Sequence, residues 1–420
     1  MTEAIKNRGW SVTIAGTGIN LALGVLYTWS IFQAAIKKSI EQGGEGAFTW
    51  DPALVSDPYA VCCLVFAFSM ILAGKVQDKF GPRLTATIGG ALVGAGLLLV
   101  SQSTSYAVWV LGFGVLTGAG IGFGYSSATP PALKWFPSGK TGLIAGLVVA
   151  GFGLAPVYIA PLATYLLGTF GLHKAMMILG VAFFVVVSVL ATFLVNPPKG
   201  YVPVNLNPDE DQPATSAKTN ADMGTAQVLR TPQFWKLWVL YFIGSGAGLM
   251  VIGNVASMAK ASMGEAAFVA VAIMAVGNAS GRIIAGVASD AIGRRLALVF
   301  FLALQAVNMF LAIFVVDAQG AVALMIVLSA TFIGFNYGTN LAIFPAYAKT
   351  WWGLKSFGTN YGCLMTAWGI GGFVMTRVSS MLVAQTGGYV GSFVLAGTLL
   401  LLGAGIALTL KDPPQGADGG

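Results

Sequence analysis

Arg282 stands in "AVGNASGRIIAGVASDAIGRR", residues 275 to 295, inside an otherwise apolar run. A guanidinium there is costly unless it faces a cavity or a partner. Two readings compete: a long side chain bending back to an interface or ion pair, and a cation kept for a ligand. Helical side chains lean toward their own N-terminus, so Arg282 leans back toward Asn278 and away from the charged "GRR" end. Asn278, one turn earlier, can accept a hydrogen bond without neutralising the charge. A guanidinium left charged in a dry site suits a carboxylate, which its parallel N–H donors grip in bidentate fashion.

Other side chains could complete such a site. Tyr125 and Tyr337 offer phenol groups that bond a carboxylate or hydroxyl. Tyr27 and Asn20 share one helical face, and Tyr361 lies in a late apolar run. Leu147, Phe152 and Trp368 would be apolar lining. Packing is the competing explanation for each of them. Asp57 follows Asp51-Pro52, a helix start with Asp as N-cap. Its depth, about one and a half turns inside, makes it a proton-coupling candidate through desolvation; a wet acid at the mouth is the alternative. Cys62, Cys63 and Cys363 have no metal-ligand spacing. No nucleophile pairs with a base and no glycine loop follows a strand, so an enzyme, a metal and a cofactor are not expected.

The elements that must position these residues are set by composition. The 420 residues are 56% hydrophobic and 9% charged, with a mean hydropathy of +0.80, which describes a polytopic membrane protein. Runs long enough to cross the bilayer fall near 10–33, 53–74, 84–102, 106–133, 141–170 and 174–196, and again near 233–259, 264–288, 296–316, 320–348, 356–385 and 389–410. None alternates as a barrel strand would, so the fold is all-α with twelve transmembrane helices. Residues 1–196 and 232–411 form two six-helix bundles; 197–231, rich in proline and acids, is a linker, and 412–420 a short tail.

The net charge of +7 follows topology rather than nucleic acid. Lys6, Arg8, Lys75, Lys79, Arg83, Lys134, Lys140, Arg294, Arg295, Lys349, Lys355 and Lys411 fall on one side; Lys37, Lys38, Lys174 and Lys260 fall on the other. The positive-inside rule puts both termini in the cytoplasm, and "MTEAIKNRGW" has no signal-peptide pattern, so the first span is expected to be retained. The partners expected are lipid, substrate and proton, with no nucleic acid and no obligate protein partner evident.

The chain also repeats itself. "GKVQDKFGPR" and "GVASDAIGRR" place Gly74, Asp78, Gly81 and Arg83 against Gly286, Asp290, Gly293 and Arg295, each pair 212 positions apart. "GFGY" and "GFNY" set Tyr125 against Tyr337 at the same offset of 212. A six-helix repeat enters the membrane in the same sense both times, so a pseudo-two-fold axis lies along the membrane normal with substrate sites between the copies. Asp78 and Asp290 can hold the bundles together on the cytoplasmic face. Gly142, Gly146 and the "GIGG" of 369–372 would permit close helix crossings.

The paired G-x-x-x-D-x-x-G-x-R loops resemble the signature of the major facilitator superfamily. "RGWSV" and "KWFPSGKTGLIAGLVVAGFG" resemble motifs of the monocarboxylate transporters; "NYG" at 360–362, "LYTW" and "RTPQFW" are equally similar to oxalate:formate antiporter relatives. The resemblance implies the major facilitator fold, alternating access and a cytoplasmic gate of Asp78, Arg83, Asp290 and Arg295. Monocarboxylate transporters carry an aspartate and an arginine four apart in helix eight; here Asn278 replaces the aspartate, and Ile31 takes the place of the first-helix lysine, so that style of proton relay does not carry over. The oxalate carriers use a helix-eleven lysine where alignment on "NYG" sets Trp368. One cation beside apolar walls implies a secondary active transporter of lactate- or pyruvate-type monocarboxylates in the inner membrane, as a proton symporter with Asp57 and Arg282 in the coupling. The alternative is an oxalate/formate-type exchanger. A membrane sensor would bring a soluble domain, for which linker and tail are short.

Overall fold

The computed structural model describes residues 7–136, 141–198, 201, 223–316, 323–353 and 356–411. Most of the expected linker and the tail 412–420 lie outside the described residues, as do the side chains of Asp78 and Asp290.

Regular structure among the described residues is helical throughout. Eleven segments are long and apolar enough to span a membrane. We number them α1 Gly9–Gln42, α2 Pro52–Gln77, α3 Pro82–Val100, α4 Tyr106–Leu133, α5 and α6 together Ile144–Ala191, α7 Pro232–Ile252, α8 Phe268–Ser289, α9 Arg294–Val315, α10 Leu324–Trp352, α11 Gly358–Thr386 and α12 Val390–Leu408. The 48 residues of Ile144–Ala191 would run roughly 72 Å as one straight helix, against about 30 Å of hydrocarbon. They break at Gly171 (φ 76°, ψ 172°), so α5 and α6 are two crossings and the fold has twelve.

Sequence dictates the sharp turns. Gly81 (φ 86°) joins α2 to α3 and Gly293 (φ 85°) joins α8 to α9, both in the left-handed region that side-chain-bearing residues avoid. The arginine that follows each turn is used alike in both copies. Arg83 donates to the Leu194 carbonyl just past α6 at 3.2 Å, and Arg295 to the Leu410 carbonyl just past α12 at 3.4 Å. Each arginine therefore ties its own bundle.

Within the bundles α1 packs on α4 and α5, and α8 on α10. Between the bundles α2 meets α11 and α5 meets α8. The repeat that carries α2 onto α8 carries α11 onto α5, so the two contacts are one interface seen twice. Its tightest crossing is at "GIGG", where a Cβ on Gly369 would meet Ala67 and the Cys63 carbonyl of α2; Gly371 packs inside its own bundle, where a Cβ would meet the Phe242 carbonyl of α7. Gly146 instead faces open space, with nothing within 4 Å; the surroundings of Gly142 lie outside the described residues. Cys62 and Cys63 are buried, and Cys363 is half-buried.

Further links join the bundles at the end opposite the termini. Arg377 of α11 pairs with Asp57 of α2 at 2.6 Å and also donates to the Ala53 carbonyl, while Tyr106 of α4 donates to the other Asp57 oxygen at 2.6 Å. Gln33 of α1 donates to Asn254, next to α7, at 3.1 Å and accepts from Ser257 at 3.4 Å. The Tyr59 hydroxyl reaches the Leu249 carbonyl at 3.0 Å.

Candidate functional site

Arg282 projects from α8 into the α5–α8 contact and is 9% exposed. Its Nε donates to Asn278 Oδ1 at 3.2 Å, and one terminal nitrogen donates across the interface to the Val149 carbonyl of α5 at 2.8 Å. The other terminal nitrogen is buried and has no hydrogen-bond partner. Among the described residues no carboxylate pairs with this guanidinium. Both partners are neutral, so the full positive charge is retained in a region from which water is excluded, where charged groups interact strongly.

Helix α5 is shaped to receive it. A Cβ on Gly153 would stand 3.3 Å from Arg282 Cζ, 3.4 Å from the unpartnered nitrogen and 3.5 Å from Nε. The guanidinium therefore lies flat over a residue with no side chain. Three successive carbonyls of α5 accept side-chain donors: Leu147 from Thr17 at 3.3 Å, Val148 from Asn20 at 2.8 Å and Val149 from Arg282. A carbonyl's second lone pair can accept these bonds alongside the helical one. Asn20 is thus set one carbonyl from the arginine's own acceptor, and its Oδ1 is buried with no partner.

Aromatic rings close over the charge. Tyr27 lies in a short 3-10 turn, Gly24–Thr28, that interrupts α1 where Gly24 presses on Ala155 and the Phe152 carbonyl of α5. Its hydroxyl meets that of Tyr337, in α10 of the other bundle, at 2.5 Å; Trp368 Nε1 donates to the same Tyr337 oxygen at 2.8 Å. The Phe152 ring packs edge-on against Tyr27 and Tyr125, at 4.9 and 5.3 Å between centroids. Phe66 packs against Tyr125 and Trp368 at 5.5 and 5.0 Å. Tyr27, Tyr125, Tyr337 and Tyr361 all lie within electrostatic reach of Arg282.

The structure therefore gathers Arg282, Asn278, Asn20, Tyr27, Tyr125, Tyr337, Tyr361, Phe152 and Trp368 around one centre. Leu147 is 40% exposed and contributes its carbonyl to Thr17. Asp57 opens the α-helical part of α2, just after the 3-10 turn Pro52–Leu54, and lies within the ion pair at the far end. Arg83 and Arg295 lie at the face of the termini, and the Asp78 and Asp290 side chains fall outside the described residues.

Sequence reasoning missed Gly153 and the Val149 carbonyl. A backbone acceptor leaves no side-chain signature, but a glycine inside "AGFG" was a signal of close approach. It also missed Phe66 and Tyr241, whose hydroxyl lies 3.4 Å from that of Tyr361. The gap framed by Tyr27, Asn278, Gly153 and Ala275 is nowhere wide enough for a water molecule, while Tyr125 and Tyr361 are partly exposed.

With this geometry in hand, comparison with known proteins is informative. A family model described as Major Facilitator Superfamily matches residues 10–277 and 248–419. The oxalate:formate antiporter of Oxalobacter formigenes is 29% identical over 87% of this chain and 82% of its own length. Monocarboxylate transporter 13 of Bos taurus is 26% identical over 96% of this chain and 89% of its own. Apicoplast pyruvate carrier 1 of Toxoplasma gondii is 26% identical over 86% and 82% respectively.

Proposed function

The chain belongs to the major facilitator superfamily, and from that premise we propose that this membrane transporter carries small monocarboxylates of the lactate or pyruvate type, with Arg282 as the carboxylate site. One observation carries the reading: Arg282 is buried, holds only neutral acceptors, and keeps one buried nitrogen without a partner. A carboxylate would accept from that nitrogen and from the other terminal nitrogen, which now donates to the Val149 carbonyl, forming the bidentate geometry that guanidinium favours. The similarity to transporters whose names specify monocarboxylate, pyruvate, oxalate and formate supports an organic anion as cargo.

The remaining gathered residues take roles from their chemistry. Tyr27 and Tyr337 present hydroxyls from opposite bundles and can bond the carboxylate or an adjacent oxygen. Asn278 orients the guanidinium, Asn20 offers its unpartnered oxygen, and Tyr125, Tyr361, Phe152 and Trp368 form the lid. Leu147 joins the lining only when α5 turns.

The termini face the cytoplasm of the cell whose inner membrane holds the protein, by the charge distribution of the loops. The links at Asp57, Gln33 and Tyr59 then close the outer side. Alternating access is a rocking of the bundles about the α2–α11 and α5–α8 contacts, with Asp78, Arg83, Asp290 and Arg295 closing the inner side in the opposite state.

Proton symport follows from charge. An anion moving alone toward an inside-negative compartment is opposed by about 2.3 kcal/mol per 100 mV, and a proton cancels that term. Asp57 is the proton candidate, because protonating it removes the charge that holds Arg377. The competing reading is oxalate/formate-type exchange. The test is Arg282→Gln in proteoliposomes. Lactate uptake should be abolished while the protein inserts normally, and undiminished uptake overturns the proposal. Counterflow without a pH gradient separates exchange from symport.

A further inference from the structure

The "NYG" of residues 360–362 lies in the first turns of α11, and on a helix its three positions point about 100° apart. Each meets a different part of the molecule. Asn360, 1% exposed, holds the segment that leads into α7: its Oδ1 accepts from Thr225 Oγ1 at 2.7 Å, and its Nδ2 donates to the Met223 carbonyl at 3.1 Å. Tyr361 faces the centre, within electrostatic reach of Arg282, with its hydroxyl 3.4 Å from that of Tyr241 of α7. Gly362 lies against the other bundle, where a Cβ would stand 3.4 Å from Ile71 Cγ1 of α2.

The segment that Asn360 holds is a strap across one bundle. The Met223 N–H donates to the Trp352 carbonyl at the end of α10 at 3.1 Å, so Met223 alone bridges the end of α10 and the start of α11. A short helix follows, Thr225–Leu229, with Val228 fully buried. Thr231 then caps α7, accepting from the Phe234 N–H at 3.3 Å, and the Phe234 ring packs on Trp352 at 5.7 Å between centroids. Residues 223–231 thus run from α10 and α11 into the first turn of α7. Both halves of the Asn360 amide, donor and acceptor, are used on this strap, which neither an aspartate nor an aliphatic residue could reproduce.

We propose that Asn360 is a positioning residue for the central site: by fastening α11 to the strap it sets the depth and rotation of the first turn of that helix, and with them the approach of the Tyr361 hydroxyl to the bound acid. The inference rests on the reading of the centre as an acid site. Asn360 and Tyr361 are neighbours on one helix, so any rotation of that turn moves both together. The strap ends on α7 and α10, which carry Tyr241 and Tyr337, so fastening α11 to it fixes the third tyrosine against the other two. The same turn meets α2 through Gly362, so its placement also bears on the contact between the bundles. A side chain that served only to hold the fold would show no dependence on the Tyr361 hydroxyl.

The experiment is a double-mutant cycle in the full chain: Asn360→Ala, Tyr361→Phe and the two combined, with Thr225→Val as a milder break of the strap at a half-buried residue. Lactate KM is measured in proteoliposomes and amide hydrogen exchange in detergent. Asn360→Ala should raise KM by about fivefold, the scale of one lost hydrogen bond, and should leave KM unchanged when Tyr361 is already Phe. Thr225→Val should raise KM in the same direction by a smaller factor, and carries the same cycle if Asn360→Ala does not fold. Exchange should rise at the amides of 223–231 and 358–362 in both strap variants. The same KM factor in both backgrounds, or no change of KM on breaking the strap, overturns the positioning role. Unaltered exchange across both segments overturns the strap itself, and that readout needs no cargo. If wild type takes up no lactate, the transport reading fails and the role of Tyr361 with it, while exchange still decides the strap.

Discussion

At the scale of single residues, one buried charge is held by neutral groups from two bundles. Arg282→Lys keeps the charge but loses the fork. A hydrogen bond to a charged group contributes about 1.5–3 kcal/mol, so this variant should bind its acid roughly tenfold to a hundredfold more weakly, read as KM in uptake assays. Gly153→Val should be as damaging although it carries no charge: even a Cβ would stand 3.3 Å from Cζ, and the two methyls of valine must push the guanidinium off α5. Uptake by Gly153→Val at the wild-type rate would show that the guanidinium is not seated there. The bond from Arg282 to Asn278 was readable in the sequence, since four residues is one helical turn and the side chain leans that way. Its bond to Val149, 133 positions away, was not, because nothing in residue spacing says which carbonyl of which helix a donor will meet.

At the scale of elements, two features shape the molecule: an ion pair between the bundles and a glycine at each sharp turn. The Asp57–Arg377 pair fastens α2 to α11, with Tyr106 of α4 holding the second carboxylate oxygen. Asp57→Asn removes the charge but not the shape. It should leave counterflow of labelled acid intact while uptake ceases to respond to an imposed pH gradient; a gradient response equal to wild type would remove Asp57 from the coupling. The second feature is the turn glycine. Gly81→Ala and Gly293→Ala each force a side chain into the left-handed region at roughly 1–2 kcal/mol, so each should lower the melting temperature measured in detergent. Helix positions were readable from hydropathy, and the break between α5 and α6 falls near the gap expected between 170 and 174. The ion pair was not: Asp57 and Arg377 are 320 positions apart, and nothing in their spacing joins them.

At the scale of the whole molecule, a symmetric scaffold carries an asymmetric site. Following the offset of 212 positions, the counterparts of Asn278 and Arg282 on α2 are Phe66 and Met70. One copy of the repeat thus supplies the guanidinium and its amide, and the other supplies an aromatic ring and a thioether. The repeat was visible in the paired loops; the closure of the lid over the charge was not, since it depends on Tyr27, Tyr337, Phe152 and Trp368 meeting from four helices. With Arg282 as the proposed carboxylate site, the same asymmetry would match a cargo of one negative charge.

The most direct measurement is binding itself: calorimetric titration of lactate into the purified protein in detergent, wild type against Arg282→Gln, with folding of both checked by melting temperature. We expect saturable binding by wild type and a loss of at least about a hundredfold in the variant, the scale set by removing one partner of a buried charged pair. Equal affinity in two equally folded proteins would contradict the assignment of Arg282 as the carboxylate site.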